Sequence, residues 1–322
     1  MESSVYNRVN MDEDGDERMH SAVDRILALS AQKQEIEASV SYLAAKLAPI
    51  VKEGEATLIC FPREAEDDFG SIAEKAVLRC GSQPVFWEKD LRWRELLRIA
   101  LLSKASTIIG PPIVILGLSK LAIHEGLPTS LYNAVLTGYP CLDWMTDGIE
   151  KGLDCKTWGI FGINTSSIVS GFSCRYGRGI HIRNDKYGID IMDSSNKSVS
   201  PGQSGRVFLH HNLLPEVRCQ TNAVGRIQET ACPCGNASPK LVDIDAPPID
   251  SAVVRQVAEE LLSWNSILEC KAEQSKSGLE LEIVCFKGEK LPKLPSCAKL
   301  VLRSWNPETD VPLSLDASWL NS

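Results

Sequence analysis

TLICF (57–61), SIAEKAVLRC (71–80), PVFW (84–87), DLRWRELLRIALLSK (90–104), STIIG (106–110), the apolar run 113–125, NAVLTG (133–138), the polar run 142–152 and KTWGIFG (156–162) succeed one another in near-strict alternation. The short members are apolar and rich in β-branched or aromatic residues. The long ones repeat apolar residues at three- and four-residue steps. Strands alternating with helices imply parallel strands joined by crossover helices, so residues 55–167 read as an α/β core. Gly81, placed just after the first helical run, reads as its stop signal.

Upstream of this core, Val23, Ile26, Leu27, Leu29, Ile36, Val40, Leu43, Leu47 and Ile50 recur at helical spacing with charges between them, and Pro49 stands near the end. This predicts an amphipathic helix within 21–54. Its apolar face has to be buried against its own domain, a second copy or a partner protein. Residues 1–20 carry Glu2, Asp12, Glu13, Asp14, Asp16 and Glu17 against Arg8 and Arg18, and read as an acidic, disordered tail.

Downstream the texture changes. GIHI (179–182), YGIDIM (187–192), GRVFLHH (205–211), EVRCQ (216–220) and VGRIQE (224–229) alternate apolar and polar residues between glycines and asparagines. Residues 168–243 are therefore expected to form an antiparallel, hairpin-rich subdomain. DAPPID (245–250) reads as a linker, since its two prolines interrupt regular structure. A helix (251–264) and strands around 266–272 and 279–286 complete a small α+β unit over 244–322.

With 322 residues, 43% hydrophobic, the chain can bury a sizeable core. A formal net charge of −8 argues against a nucleic-acid partner, which calls for basic patches. No segment has the apolar length of a membrane span or the pattern of a signal peptide, so a membrane partner is not expected and a cytoplasmic location is. In a reducing compartment the 11 cysteines are thiols or metal ligands, not a disulfide framework.

Four soft ligands stand out. Cys174 and His181 form a C-x6-H pair across a turn containing Gly177 and Gly179, and Cys232 and Cys234 form a C-x-C knuckle followed by Gly235. Three thiolates and one imidazole fill the tetrahedral shell of Zn²⁺ without an open position, which makes such a site structural. The spacing is not the common C-x2-C pair, so the residues also admit a plain reading as strand residues and a turn. His210 and His211 are adjacent, point to opposite faces of a strand, and are weaker candidates.

VRCQTNAVGRIQETACPCGNASPKL (217–241) resembles the IRYRTGDLxRI…CPCGR segment of the phenylacetate–CoA ligase-like branch of the adenylate-forming (acyl-CoA synthetase, ANL) superfamily. TWGIFGINTSS (157–167) resembles its IYGLSE region, SGFSCRYGRGIHIRNDKYGIDIMD (170–193) its cysteine-containing GLHI…EIID segment, and LPKLPSCAKLV (291–301) its terminal LPRSEGKAKRV. The resemblance runs from roughly 105 to 302. It implies a partial ligase N-domain, and a structural zinc on Cys174, His181, Cys232 and Cys234, which match the three cysteines and histidine that hold zinc in some members.

The departures from the pattern matter more. The family's metal-holding glutamate falls on Thr165, the aspartate that grips the ribose on Ala223, the terminal lysine on Cys297, and a further glutamate on Tyr139. No phosphate loop of the SSGTTGKP kind precedes the region, and the chain is shorter than a typical member, with the deficit at its N-terminal end. Adenylation needs cradled phosphates and charge aimed at the reacting groups. The resemblance therefore implies a ligase-derived protein that has given up ATP- and Mg²⁺-dependent activation. If the ancestral pocket is kept, Tyr139, Asn164, Thr165, Ser166 and Cys297 border it at the ends of strands.

The expected function is that of a partner- or ligand-binding pseudoenzyme in a biosynthetic or regulatory assembly. Its partner would be a second copy or a catalytically intact relative, and its ligand a small acyl or aromatic compound. Two enzymatic alternatives stand beside it: a step without ATP in the old acyl pocket, and a divergent acyl- or aryl-CoA (or carrier-protein) ligase.

Overall fold

The computed structural model describes residues 33–61, 63, 68–87, 92–138, 142–162, 168–245 and 252–307. The acidic tail, residues 21–32 of the expected N-terminal helix, all of the 245–250 linker but Asp245, and the pocket candidates Tyr139, Asn164, Thr165 and Ser166 lie outside the described residues.

Strands β1 (Ala56–Ile59), β2 (Gln83–Phe86), β3 (Thr107–Gly110), β4 (Asn133–Leu136) and β5 (Lys156–Gly162) form a parallel half-sheet in the order β2-β1-β3-β4-β5. β1 and β3 are buried along their whole length, as expected of apolar runs covered on both faces. Pro84 cannot donate to a ladder, and it sits in β2, the edge strand.

Alternate residues of these strands feed two cores. Leu58, Ile108 and Ala134 face helices α3 (Trp93–Leu102), α4 (Pro112–Glu125) and α5 (Asp143–Leu153). Ile59, Ile109 and Val135 face α1 (Lys33–Leu47) and α2 (Phe69–Arg79). α2 is started by Asp68, whose carboxylate accepts the Ser71 N–H at 2.7 Å. α4 opens on Pro112 and stops at Gly126, whose left-handed backbone (φ +64°) ends the helix.

The apolar stripe of α1 is covered within the chain: Val40, Leu43 and Leu47 pack on Ile72, Ala76 and Val77 of α2. Burial against its own domain is thus the outcome for the described part of this helix, and that face is not left for a partner. A second anchor is polar. Glu35 accepts from Tyr187 Oη (2.7 Å) and Lys186 Nζ (2.5 Å) of the antiparallel region.

β5 joins the two halves, since it pairs parallel with β4 and antiparallel with β6 (Val169–Ser173). The sheet continues through β7 (Ile180–Ile182), β11 (Lys240–Asp245), β10 (Leu214–Ile227), β9 (Gly205–His211) and β8 (Tyr187–Met192), giving 11 strands in all. Two features correct the sequence reading. Segments 216–220 and 224–229 are not separate strands. Residues 216–220 and 224–227 belong to the single strand β10, which stays paired with β9 through a register shift between Gln220 and Val224. β11, unforeseen, fills the gap between β7 and β10.

The last unit is α6 (Ala252–Leu262) with a three-stranded sheet of β12 (Ile267–Ser275), β13 (Gly278–Cys285) and β14 (Lys299–Ser304). Its apolar residues are continuous with those around α3 and α4. Buried Lys120 of α4 donates to the Leu262 carbonyl (2.5 Å) and the Ile267 carbonyl (2.7 Å), and Trp93 Nε1 donates to Glu269 (2.7 Å). The protein is mixed α/β: a large sheet, parallel then antiparallel, and a small C-terminal sheet. Among the described residues no helix is long and apolar enough to cross a membrane.

Candidate metal centre and the adjoining cleft

Cys174 follows β6, His181 lies in β7, and Cys232 and Cys234 sit on the turn between β10 and β11. Because β6, β7 and β11 are neighbours in the sheet, the two pairs converge although some fifty residues separate them in sequence. Their ligand atoms all lie within 4.8 Å of one another, forming a cluster that could hold a metal ion. Cys174 Sγ is 3.6 Å from Cys232 Sγ, and Cys234 Sγ is 3.3 Å from His181 Nε2. The sulfur separation is far beyond a disulfide bond. It is close to the edge of about 3.8 Å expected when two sulfurs share one tetrahedral zinc.

The surroundings orient these groups. His181 Nδ1 is 3.1 Å from the Ser238 carbonyl. A carbonyl only accepts, so Nδ1 carries the hydrogen and Nε2 keeps its lone pair toward the sulfurs, the arrangement a metal-binding imidazole needs. The Asn236 N–H donates to Cys234 Sγ (3.4 Å). The Cys232 thiol is brought down to about 6, first by the backbone N–H of Cys234 and then by the thiols of Cys234 and Cys174 beside it. Burial pushes the Cys174 thiol up. A group of thiols in which one is already poised as thiolate suits a soft cation.

Gly179 makes the approach of the first hairpin feasible. Its φ is +111°, and a Cβ there would stand 2.7 Å from the Leu241 carbonyl of β11. Only glycine permits both the backbone angle and that closeness. Lys240, the first residue of β11 and the register partner of His181, points its ammonium at the same cluster: Nζ is 3.7 Å from Cys232 Sγ. Neither Lys240 nor Ser238 was identified from sequence, because their positions follow from the unforeseen strand β11.

A cleft of about 750 Å³ opens beside the cluster, with Cys174 in its wall. Its charges are largely satisfied internally. Arg178 pairs with Asp143 (2.7 Å) and Asp147, and Arg226 with Asp243 (2.5 Å). Glu150 accepts from the N–H (3.0 Å) and hydroxyl (2.7 Å) of Thr157. The cleft runs along β5 from Lys156 to Gly159 and reaches Leu136, the last residue of β4; Tyr139, Asn164, Thr165 and Ser166, which follow β4 and β5 in sequence, lie outside the described residues.

Cys297 does not line this cleft. It packs with Leu291 and Leu294 against the apolar core beneath the C-terminal unit. Ala223, where the resemblance places the ribose-gripping aspartate, is 1% exposed and packed in the apolar cluster of the antiparallel half-sheet. His210 and His211 stand apart from the metal cluster: His210 lies 3.3 Å from Asp190, and His211 is edge-on to Tyr187.

No family model and no curated protein matches this chain. Solved structures do. A 2-hydroxyisobutyryl-CoA ligase in the postadenylation state aligns over 79% of this chain and 59% of its own, with 15% identity and a TM-score of 0.64. A benzoate CoA ligase from Burkholderia xenovorans LB400 aligns over 82% and 61%, with 9% identity and a TM-score of 0.54. The amide bond synthetase McbA from Marinactinospora thermotolerans aligns over 82% and 60%, with 14% identity and a TM-score of 0.52. The fold is thus shared with acyl- and aryl-CoA ligases, and the chain spans about three-fifths of the length of the proteins it matches.

Proposed function

We propose that this protein is a degenerate relative of the adenylate-forming ligases, built around a structural zinc, that binds a partner or a small acyl or aromatic ligand without activating it with ATP. The observation that carries this reading is position 223. The resemblance puts the ribose-gripping carboxylate there, and the chain has a methyl group sealed in an apolar cluster. A carboxylate is needed to hold the sugar hydroxyls, and a buried alanine offers neither an acceptor nor access. Cys297, half-buried against the core, supports the same reading, since an uncharged side chain occupies the position that the resemblance gives to the family's terminal lysine.

Zinc follows from the donor set: three thiolates and an oriented imidazole, with no open position, close a tetrahedral shell and leave the metal no catalytic role. Bound there, it ties β6 and β7 to the β10–β11 turn. Cytoplasmic residence and a role in a biosynthetic or regulatory assembly belong to the same proposal.

ATP–pyrophosphate exchange across a panel of acyl and aryl acids tests the catalytic part. The expected result is no exchange above blank. Acid-dependent exchange, or thermal stabilisation by ATP, would establish a working ligase instead. Stabilisation by an aromatic or acyl acid alone would identify the ligand class.

A further inference from the structure

Lys240 is 6% exposed. Its side chain runs past Gly179, where a Cβ would stand 3.0 Å from Lys240 Cε, and its ammonium ends between the Tyr176 carbonyl (2.9 Å) and Cys232 Sγ (3.7 Å). Among the described residues no carboxylate forms an ion pair with it. A buried ammonium without a counter-charge is costly, and such groups persist when paired. The anion available is the thiolate cluster itself.

The charge count gives this geometry a meaning. A dication held by three thiolates and a neutral imidazole carries a net charge of −1, and in a buried position that charge also needs a partner. One ammonium brings the assembly to zero. We propose that Lys240 is the charge-balancing member of the metal centre: its ammonium neutralises a divalent ion bound by Cys174, His181, Cys232 and Cys234. This inference rests on the zinc reading above and extends it. It makes Lys240 a positioning residue that touches a sulfur, not the metal. It also sets the class of ion, because a monovalent or trivalent cation leaves one unit of charge uncompensated.

The structure supplies the reason the lysine is committed to this place. β11 pairs with β7 so that Lys240 stands opposite His181, while the Lys240 carbonyl accepts the Gln228 N–H (2.8 Å) and the preceding Pro239 carbonyl accepts the Ile182 N–H (2.9 Å). The backbone on both sides of the lysine is therefore held by the strands that carry the ligands.

Zinc affinity of the full chain, measured by competition with a chromophoric chelator at fixed pH, tests the proposal in Lys240→Met and Lys240→Arg. Outer-shell partners of metal ligands typically account for about 10- to 100-fold in affinity. Lys240→Met is expected to weaken zinc by that factor, and Lys240→Arg to stay near wild type. The bound thiolates of Lys240→Met should also alkylate faster, because the ammonium no longer withdraws charge from Cys232.

Equal affinity and equal alkylation rate in Lys240→Met overturn the proposal. Should that variant not fold, the wild-type chain decides. Labelling with an amine-reactive reagent should spare Lys240 with zinc and reach it after chelation, and equal labelling in both states overturns the proposal. Less than about half a zinc per wild-type chain is a different result, for it removes the metal site itself.

Discussion

The Cys232 side chain meets three of its neighbours in the cluster: Cys174 across the hairpin, Cys234 on its own turn, and the Lys240 ammonium beneath it. Cys232→Ser keeps the size of the side chain and removes a thiolate. Zinc content by elemental analysis should fall below about half per chain. Cooperative thermal unfolding should shift to markedly lower temperature, since a structural zinc contributes its binding energy to folding. A variant that unfolds like wild type would mean the cluster is only a turn. At this scale the four-residue cluster was legible because the chemistry is carried by residue type. Cysteines and a histidine next to turn glycines announce themselves. Lys240 and Ser238 did not, because a lysine and a serine have no distinguishing chemistry until strand pairing places one beside a sulfur and the other beside an imidazole.

Among the elements, α1 is held by an apolar stripe on α2 and by Glu35 on β8 and the residue before it. Burial pushes the Glu35 carboxyl up, but hydrogen bonds from Lys186 and Tyr187 outweigh it and hold the group below its usual 4.5. A carboxyl with a depressed folded value adds stability above the unfolded value, and that stability is lost as pH falls through the folded one. Glu35→Gln should cost about 1–3 kcal/mol near neutral pH. The gap to wild type should close as the pH falls below 4.5, followed by chemical denaturation at each pH. A gap independent of pH would mean that the stripe alone docks the helix.

The parallel strands were legible because each is a short apolar run between clear helices. β10 and β11 were not, for a physical reason. β10 is irregular where Thr221, Asn222 and Ala223 interrupt the alternation. β11 has a positive-φ residue, Asp243 (φ +52°), beside a register shift, so its apolar residues fall out of step.

At the scale of the whole molecule, the C-terminal unit and the α/β core share one apolar interior, with Lys120 as the polar link. Burial brings the Lys120 ammonium down to about 7 from its usual 10.5. Between those values the unfolded chain binds a proton that the folded one does not, so this group makes stability rise with pH across the window. Wild type should therefore gain on Lys120→Met by on the order of 4 kcal/mol from pH 7 to pH 10.5. Unfolding midpoints taken across that range check it, and parallel pH profiles would show that the lysine stays charged inside. The small C-terminal sheet expected from sequence is present, because composition and prolines mark the linker before it; its packing partners were not legible, because they lie more than a hundred residues upstream.

β11 is the late arrival in its own neighbourhood. β7 is made early and β10 some forty residues later, yet the strand that lies between them spans 240–245. On a ribosome, both strands leave the exit tunnel with a hydrogen-bonding edge unfilled, and both edges stay open until residue 245 has cleared. Cys232 and Cys234, the second pair of the candidate metal cluster, emerge in the same interval. On the zinc reading proposed above, ion capture and insertion of β11 would fall in the same late interval of biosynthesis, the one in which the two open edges are also filled.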